Sequence, residues 1–422
     1  MQKLLEFLEN SYTAYNACEY IRKRLVENGF TRLKEQDEWE ISENGKYFIE
    51  RGGSSIIAFV IGDLDNFSYK ITASHLDSPA LKIKANPVEK KGVVVTLNTE
   101  TYGGGIWYSF FDRPLKIAGR VVKSENNRVF SETVVSPYLL TVPSLSAHQN
   151  RGVNDGFSVN PQIDLQPLLS FADSANWLDG ITSAESVSAY DLYLVSAQSP
   201  YFFGVNDEFL ASPRIDNLTS AHASLQAILE FAESDGVCVS AFFNAEEIGN
   251  RTNQGADGDF LENTLRRIAY ALRFDDNEYY KALSSSFLLS VDNAHAVHPN
   301  HPEKADTTNK AVLGGGVVIK SHAGGAYITD ATSCAVVKTL LDKAGVKHQS
   351  FYNRSDMRSG STLGASVLAR FGVLGADIGL AQLAMHSACE CLAKSDYTEL
   401  VSALTAFYSS DFLMDDDGLI IR

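Results

Sequence analysis

The sequence predicts an α/β protein: a three-layer domain with a central, mostly parallel or mixed sheet, interrupted by a β-rich insert. Three observations carry that expectation. The chain has 422 residues, beyond the length at which a single hydrophobic core usually suffices. From Thr219 onward, helical patterns alternate with short apolar strands, the mark of a layered α/β domain. Between about Val88 and Val142 the texture changes to closely spaced strand candidates.

In chain order, Ser11–Asn28 carries a helical pattern (Ala17, Tyr20, Ile21, Leu25) that stops at Gly29, a C-terminal cap. Apolar strands follow at Ser55–Ile61 and Tyr69–Ser74. The insert offers strands at Val93–Leu97, Leu115–Val122, Arg128–Val135 and Tyr138–Val142, with Asn126-Asn127 as a tight hairpin turn. Beyond it come helices at Ser220–Glu233 and Ala331–Ala344, and strands at Val237–Phe243, Phe287–Val291 and Gly375–Gly379. Boundaries near Asp77 and Ser199 divide the chain into 1–77 and 200–422, one α/β domain in two parts, and the insert 78–199.

Hydrophobic residues make up 45% and charged residues 21%, an ordinary globular balance. Acidic side chains outnumber basic ones, 52 to 36, for a formal net charge of −16. Such a surface repels phosphate backbones and anionic lipid, which argues against nucleic acid and membranes as partners. Glu6 and Glu9 break the apolar run after Met1, unlike a secretory signal, and no run approaches a membrane span. The five cysteines are odd in number and scattered, the pattern of reduced thiols in a cytoplasmic protein.

Metal-competent residues gather just after the apolar strands. Tyr69–Ser74 leads into His75-Leu76-Asp77, Val237–Phe243 into Glu246-Glu247, and Phe287–Val291 into Asp292. The strand near Asp377 leads through a loop to His386, and Asp216 stands just before a helix. The carboxyl ends of strands form the functional edge of layered α/β folds, and two imidazoles with several carboxylates suit a pair of zinc ions. Each residue alone has a plainer reading: a surface His–Asp pair, a solvated Glu-Glu loop, a turn aspartate beside Asn293, a packed or capping His386. Other constellations are weaker. Cys389 and Cys391 lack a second cysteine pair to close a zinc site with His386, and Gly314-Gly315-Gly316 precedes a strand rather than a phosphate-binding helix. There is no Gly-x-Ser-x-Gly elbow for a serine hydrolase.

Six ordered motifs add to this. They are His75-Leu76-Asp77-Ser78-Pro79; Tyr102-Gly103-Gly104-Gly105-Ile106-Trp107-Tyr108-Ser109, continuing through Phe111-Asp112-Arg113; Ser212-Pro213-Arg214-Ile215-Asp216-Asn217; Glu246-Glu247-Ile248-Gly249; Ser290-Val291-Asp292 with Ala294-His295-Ala296-Val297-His298-Pro299-Asn300; and Gln382-Leu383-Ala384-Met385-His386-Ser387. Over nearly its whole length the chain resembles the aspartyl aminopeptidase family of metallopeptidases. That resemblance implies hydrolysis of single residues from peptides with a free N-terminus. It implies two divalent ions, zinc foremost, with cobalt or manganese as alternatives: His75 and Asp292 on one, Glu247 and His386 on the other, Asp216 bridging. Glu246 would be the general base and Asp77 would orient His75.

The resemblance further implies that the insert is a dimerisation domain, that dimers build a dodecamer, and that His148 reaches into a neighbouring subunit's site. Lys320 and Tyr327 match the pocket for an acidic N-terminal side chain, and His295 and His298 are expected at the substrate. On this view the Lys320 ammonium needs a counter-charge that an Asp or Glu substrate supplies. The chain departs from the family at Asn353-Arg354-Ser355-Asp356-Met357-Arg358-Ser359-Gly360, where Asn-Asp-x-Pro-Cys-Gly is usual; Gly360, Thr362 and Gly364 keep the pattern. Asn250–Gly258 and Ser321–Gly325 are also unusual, which bears on specificity more than on the reaction. Three alternatives stand beside this one: a broad or neutral-residue aminopeptidase, a dizinc carboxypeptidase or amide deacylase, and a non-catalytic self-assembling shell.

Overall fold

The computed structural model describes residues 1–171, 177–178, 180–183, 187–230, 235–357, 359–414 and 418–422. The described residues build a nine-stranded mixed sheet. Its order runs Thr31–Leu33, Lys46–Arg51, Ser55–Ile61, Val237–Phe243, Tyr69–His75, Phe287–Val291, Leu374–Gly379, Val317–Lys320, His348–Phe351. Alternation along the strands explains the layering. Ile56, Ala58 and Val60 pack on one face with residues of helices Gln2–Asn10, Ala14–Glu27, Ile215–Leu229, Ala331–Lys343 and Lys394–Ser409. Ile57, Phe59 and Ile61 pack on the other with helices Phe260–Ala271, Asp276–Ser284 and Leu363–Phe371. Both faces of the sheet are therefore covered, as the three-layer expectation requires.

The stretch between Ala80 and Ser196 builds a separate antiparallel sheet of six strands with its own core around Leu81, Ile117, Val121 and Leu192. Asn126 and Asn127, both at positive φ (50° and 62°), make the two-residue turn between paired Glu125 and Arg128. A third sheet of five strands joins Tyr201–Phe203, Phe209–Ser212, Glu390–Ala393, Ala381–Leu383 and Ala294–His295.

The structure corrects several elements. The helix expected over Ser11–Asn28 spans Ala14–Glu27, starting after Thr13, which is extended at φ −141°, and a helix not anticipated, Gln2–Asn10, precedes it. Gly29 does cap the second helix at φ +81°: its N–H donates to Val26 O and that of Phe30 to Leu25 O, the Schellman pattern. Tyr138–Val142 is not a strand. Pro137 and Pro143 bracket it, and only isolated bridges form, such as Leu140 with Leu115. Two long strands, Ala80–Lys91 and Val187–Ser196, were not expected, since their charged and small residues hide the alternation. The helix expected over Ser220–Glu233 begins at Ile215 and is described to Leu229; residues 231–233 lie outside the described residues.

Candidate metal centre

Register brings the key residues to one edge. His75 pairs with Phe243 across parallel strands, and Ala73 pairs with Ser290, so Asp292 emerges level with His75. Just past Phe243 the chain turns at Ala245 (φ +64°) into a short 3-10 helix, Glu246–Ile248. Asp216 sits at the start of its helix with non-helical dihedrals (φ −79°, ψ 111°). His386 lies at φ +69° in the loop between Ala381–Leu383 and Glu390–Ala393. Close approach depends on two glycines. A Cβ at Gly379 would meet Asp292 O at 1.8 Å, and one at Gly103 would meet the Glu247 Cβ at 3.1 Å.

Two groups of side chains share Asp216. His75 Nε2 is 3.5 Å from Asp216 Oδ1 and 3.5 Å from Asp292 Oδ1. His386 Nε2 is 3.4 Å from Asp216 Oδ2 and 3.4 Å from Glu247 Oε1. Within each group the ligand atoms lie within 4.8 Å of one another. The imidazoles are oriented from behind: His75 Nδ1–H donates to the Asp77 main-chain carbonyl at 3.0 Å and His386 Nδ1–H to Gly104 O at 2.9 Å. Each Nε2 lone pair is thereby turned toward the cluster. Asp216 Oδ1 and Glu247 Oε1 are buried with no hydrogen-bond partner. Orphaned buried carboxylate oxygens are costly, and a cation removes that cost. Imidazole nitrogens and carboxylate oxygens in tight groups fit zinc.

The electrostatics reflect crowded, desolvated charge. Burial lifts the Glu246 carboxyl to about 8; His75 opposes the lift, while Asp292, Asp77 and Asp216 add to it. Burial likewise pushes Glu247 well up, against the pull of His386. For Asp216 burial acts upward, but the facing imidazoles of His386 and His75 outweigh it and hold the carboxyl low. Burial acts against protonating His75 and His386. Asp216 and Asp292 outweigh it at His75, and Asp216 and Glu247 raise His386 to about 10.

The other expected residues divide. Asp77 is buried, and its carboxylate accepts the main-chain N–H of Glu246 and Glu247, both at 3.1 Å, and the Tyr102 hydroxyl at 2.8 Å. Its Oδ1 is only 3.5 Å from His75 Nδ1, so the carbonyl holds the ring more closely than the carboxylate does. Lys320 is 1% exposed; its ammonium lies 3.7 Å from Asp292 Oδ2, donates to Asn293 O at 3.2 Å, and stands over the Tyr327 ring. Burial works against that charge, but Asp292 and Asp377 outweigh it and raise its pKa. The expectation that only a substrate supplies the counter-charge is therefore corrected: Asp292 already does. Tyr327 is held through Asn353, which also binds Ser359, so the unusual segment does border it; Arg358 lies outside the described residues.

His295 is exposed at the rim of the cluster, but the protein packed around its ring, with the charges of His386 and Lys320, lowers its pKa while Asp216 raises it. His148 and His298 are exposed, and among the described residues no hydrogen bond or ion pair joins either to the cluster. Sequence reasoning missed Glu390, Asn293 and Gln382. Glu390 is buried and accepts from the main chains of both Asp216 and His386. Its signal is a charged residue opening an otherwise apolar strand, Glu390–Ala393, and the two cysteines that flank it mask that signal.

Comparison with known proteins places the chain in a family. The family described as Aminopeptidase I zinc metalloprotease (M18) matches residues 7–408. A Clostridium acetobutylicum protein named "Probable M18 family aminopeptidase 2" is 38% identical over 424 residues, spanning 97% of this chain and 98% of that protein. A chain of the cryo-EM structure of the Ape4 and Nbr1 complex superposes with a TM-score of 0.91 at 30% identity, covering 96% of this chain and 85% of that one. The S. cerevisiae mApe1 dodecamer shares the fold, with a TM-score of 0.81, 24% identity and coverage of 96% and 95%. The layered sheet and its acid–imidazole cluster define a metal-dependent peptidase. The chain belongs to the M18 family of zinc metallo-aminopeptidases.

Proposed function

We propose that this aminopeptidase works with two zinc ions, one at His75 and Asp292 and one at Glu247 and His386, bridged by Asp216. One observation carries the reading: the two oxygens of Asp216 face different imidazoles, at 3.5 and 3.4 Å. When bound, the zinc pair supplies Lewis acidity to the scissile carbonyl and to water. Glu246 is the proton carrier, taking a proton at its carboxylate and delivering it to the leaving amine. Asp77 supports that role by holding the Glu246 and Glu247 amides, which lets the two adjacent side chains take separate directions.

Specificity is for acidic N-terminal residues, with Lys320, Tyr327 and His295 lining the pocket and His298 further out. The buried ammonium is shared with Asp292 through Oδ2, while Oδ1 faces the metal cluster; Asp292 would hold the cation through Oδ1, and the Lys320 ammonium would attract a substrate carboxylate. The same Lys320–Asp292 pair favours a second reading, a broad or neutral-residue aminopeptidase, because an apolar substrate does not strand the ammonium. The six-stranded sheet serves as a dimerisation surface within a dodecamer, the state named for the S. cerevisiae neighbour. His148, exposed on its loop, then serves a neighbouring subunit's site. The five free cysteines fit the cytoplasm, and no described helix is long and apolar enough to cross a membrane. Hydrolysis of aminoacyl chromogenic substrates, with and without chelator, tests the reading; acid preference and chelator sensitivity are the expected results.

A further inference from the structure

We propose that Glu390 is a positioning residue: its carboxylate ties the main chains of Asp216 and His386 together and so sets how tightly the site retains zinc. The inference rests on the two-zinc reading. Glu390 is 2% exposed and opens the strand Glu390–Ala393. Its Oε2 accepts the Asp216 N–H at 3.0 Å and its Oε1 the His386 N–H at 2.6 Å. Neither amide has a natural partner in its own element. Asp216 lies in the first turn of a helix, where main-chain N–H groups are orphaned. The positive φ of His386 aims its N–H inward, away from any strand ladder.

Glu390 also reaches a third ligand segment. Gln382 Nε2 donates to Glu390 Oε1 at 3.4 Å, and Gln382 Oε1 accepts from Asn293 Nδ2 at 2.7 Å, beside Asp292. Asp77 and Glu390 are both buried carboxylates that accept two main-chain amides. Asp77 serves consecutive residues of one turn, whereas Glu390 joins segments far apart in sequence. Asp216 and His386 are the two residues whose side chains must converge at 3.4 Å, so an error in their relative placement falls on the ligand atoms themselves. A buried carboxylate with no arginine or lysine hydrogen-bonded to it among the described residues is costly unless its acceptors are filled. The filling groups here are the ligand-bearing amides.

The test uses the full-length protein with Glu390→Gln. The amide keeps the shape but turns an NH2 toward one of the two N–H groups, so one of the two bonds is lost. Zinc retained against rising chelator, the thermal midpoint of metal-free protein, and kcat and KM at excess zinc are measured together. The expected result is half-loss of zinc at roughly 10–100-fold lower chelator, the usual effect of removing a group that orients a ligand. The metal-free midpoint stays near wild type, KM is unchanged, and kcat recovers as zinc is added. Wild-type zinc retention overturns the proposal, as does a metal-free midpoint that collapses in step with retention. If Glu390→Gln does not fold, Glu390→Asp replaces it: the charge remains, the reach shortens by one methylene, and unchanged zinc retention again overturns the proposal. Wild-type protein that holds no zinc overturns the two-zinc reading and the clamp with it, whereas zinc held equally by wild type and variant overturns the clamp alone.

Discussion

Asp292 divides itself between His75 and Lys320: Oδ1 lies 3.5 Å from the imidazole Nε2 and Oδ2 lies 3.7 Å from the ammonium. Removing Lys320 therefore acts on substrate and metal together. Lys320→Leu should lower kcat/KM for Asp and Glu substrates relative to Leu substrates by the loss of one member of a buried charge pair, about 2–5 kcal/mol. A panel of aminoacyl chromogenic substrates measures the ratio. A wild type that already prefers Leu or Lys removes acid specificity and leaves the zinc chemistry standing.

Elemental analysis should find about two zinc ions per chain, and a chelator should abolish turnover. Metal-free protein with full activity is the outcome that sinks the site.

The adjacent glutamates should separate cleanly. Glu246→Gln should keep zinc yet lose roughly 10²–10⁴-fold in kcat, while Glu247→Ala should lose zinc first. Normal turnover in Glu246→Gln places the proton carrier elsewhere.

Light scattering should give a mass near twelve chains of 46.2 kDa. His148→Phe should then cut kcat without changing the zinc content of each chain. A fully active monomer leaves the exposed His148 without a neighbour to serve.

Away from the site, His222 should govern part of the acid stability. It is buried beside Phe7 and hydrogen-bonded to the Tyr397 hydroxyl at 2.6 Å; burial, the N-terminal amine and Lys3 lower its pKa to about 3. The unfolded chain takes up this proton near pH 6.5 and the folded chain does not, so stability is full above 6.5 and falls as pH drops toward 3. Between pH 6.5 and 5 the loss is about 2 kcal/mol. Glu and Asp residues of both states contribute equally to wild type and His222→Gln to a first approximation, so the difference in thermal-midpoint slope isolates the histidine. Parallel slopes in the two proteins rule it out.

Strong local signals make part of the fold and site legible from the amino-acid sequence alone. Val237–Phe243 and Phe287–Val291 are apolar runs broken only by Ser240 and Ser290, and they have the same bounds in the fold. His75, Glu247, Asp292 and His386 can be gathered because three of them closely follow such strands, and the structure brings them together. What escapes lacks a local pattern. Ala80–Lys91 carries four lysines and a proline, so its pairing emerges only from its neighbours. Glu390 has no motif of its own, because its role consists of two amides contributed by distant segments. The Lys320–Asp292 pair likewise arises from the meeting of two strand ends that sequence order keeps apart.

The stretch Tyr102–Trp107 leaves the six-stranded sheet and returns to the edge that carries the acid–imidazole cluster. Tyr102 touches Asp77, Gly104 O receives His386 Nδ1–H, and the Ile106 N–H donates to His386 O at 3.0 Å. The second sheet is thus no detachable accessory. A shortened enzyme made by excising Ala80–Ser196 and splicing the ends would discard the bracket on one imidazole along with the unwanted bulk. Miniaturising this peptidase requires a substitute for that bracket before any strand is removed.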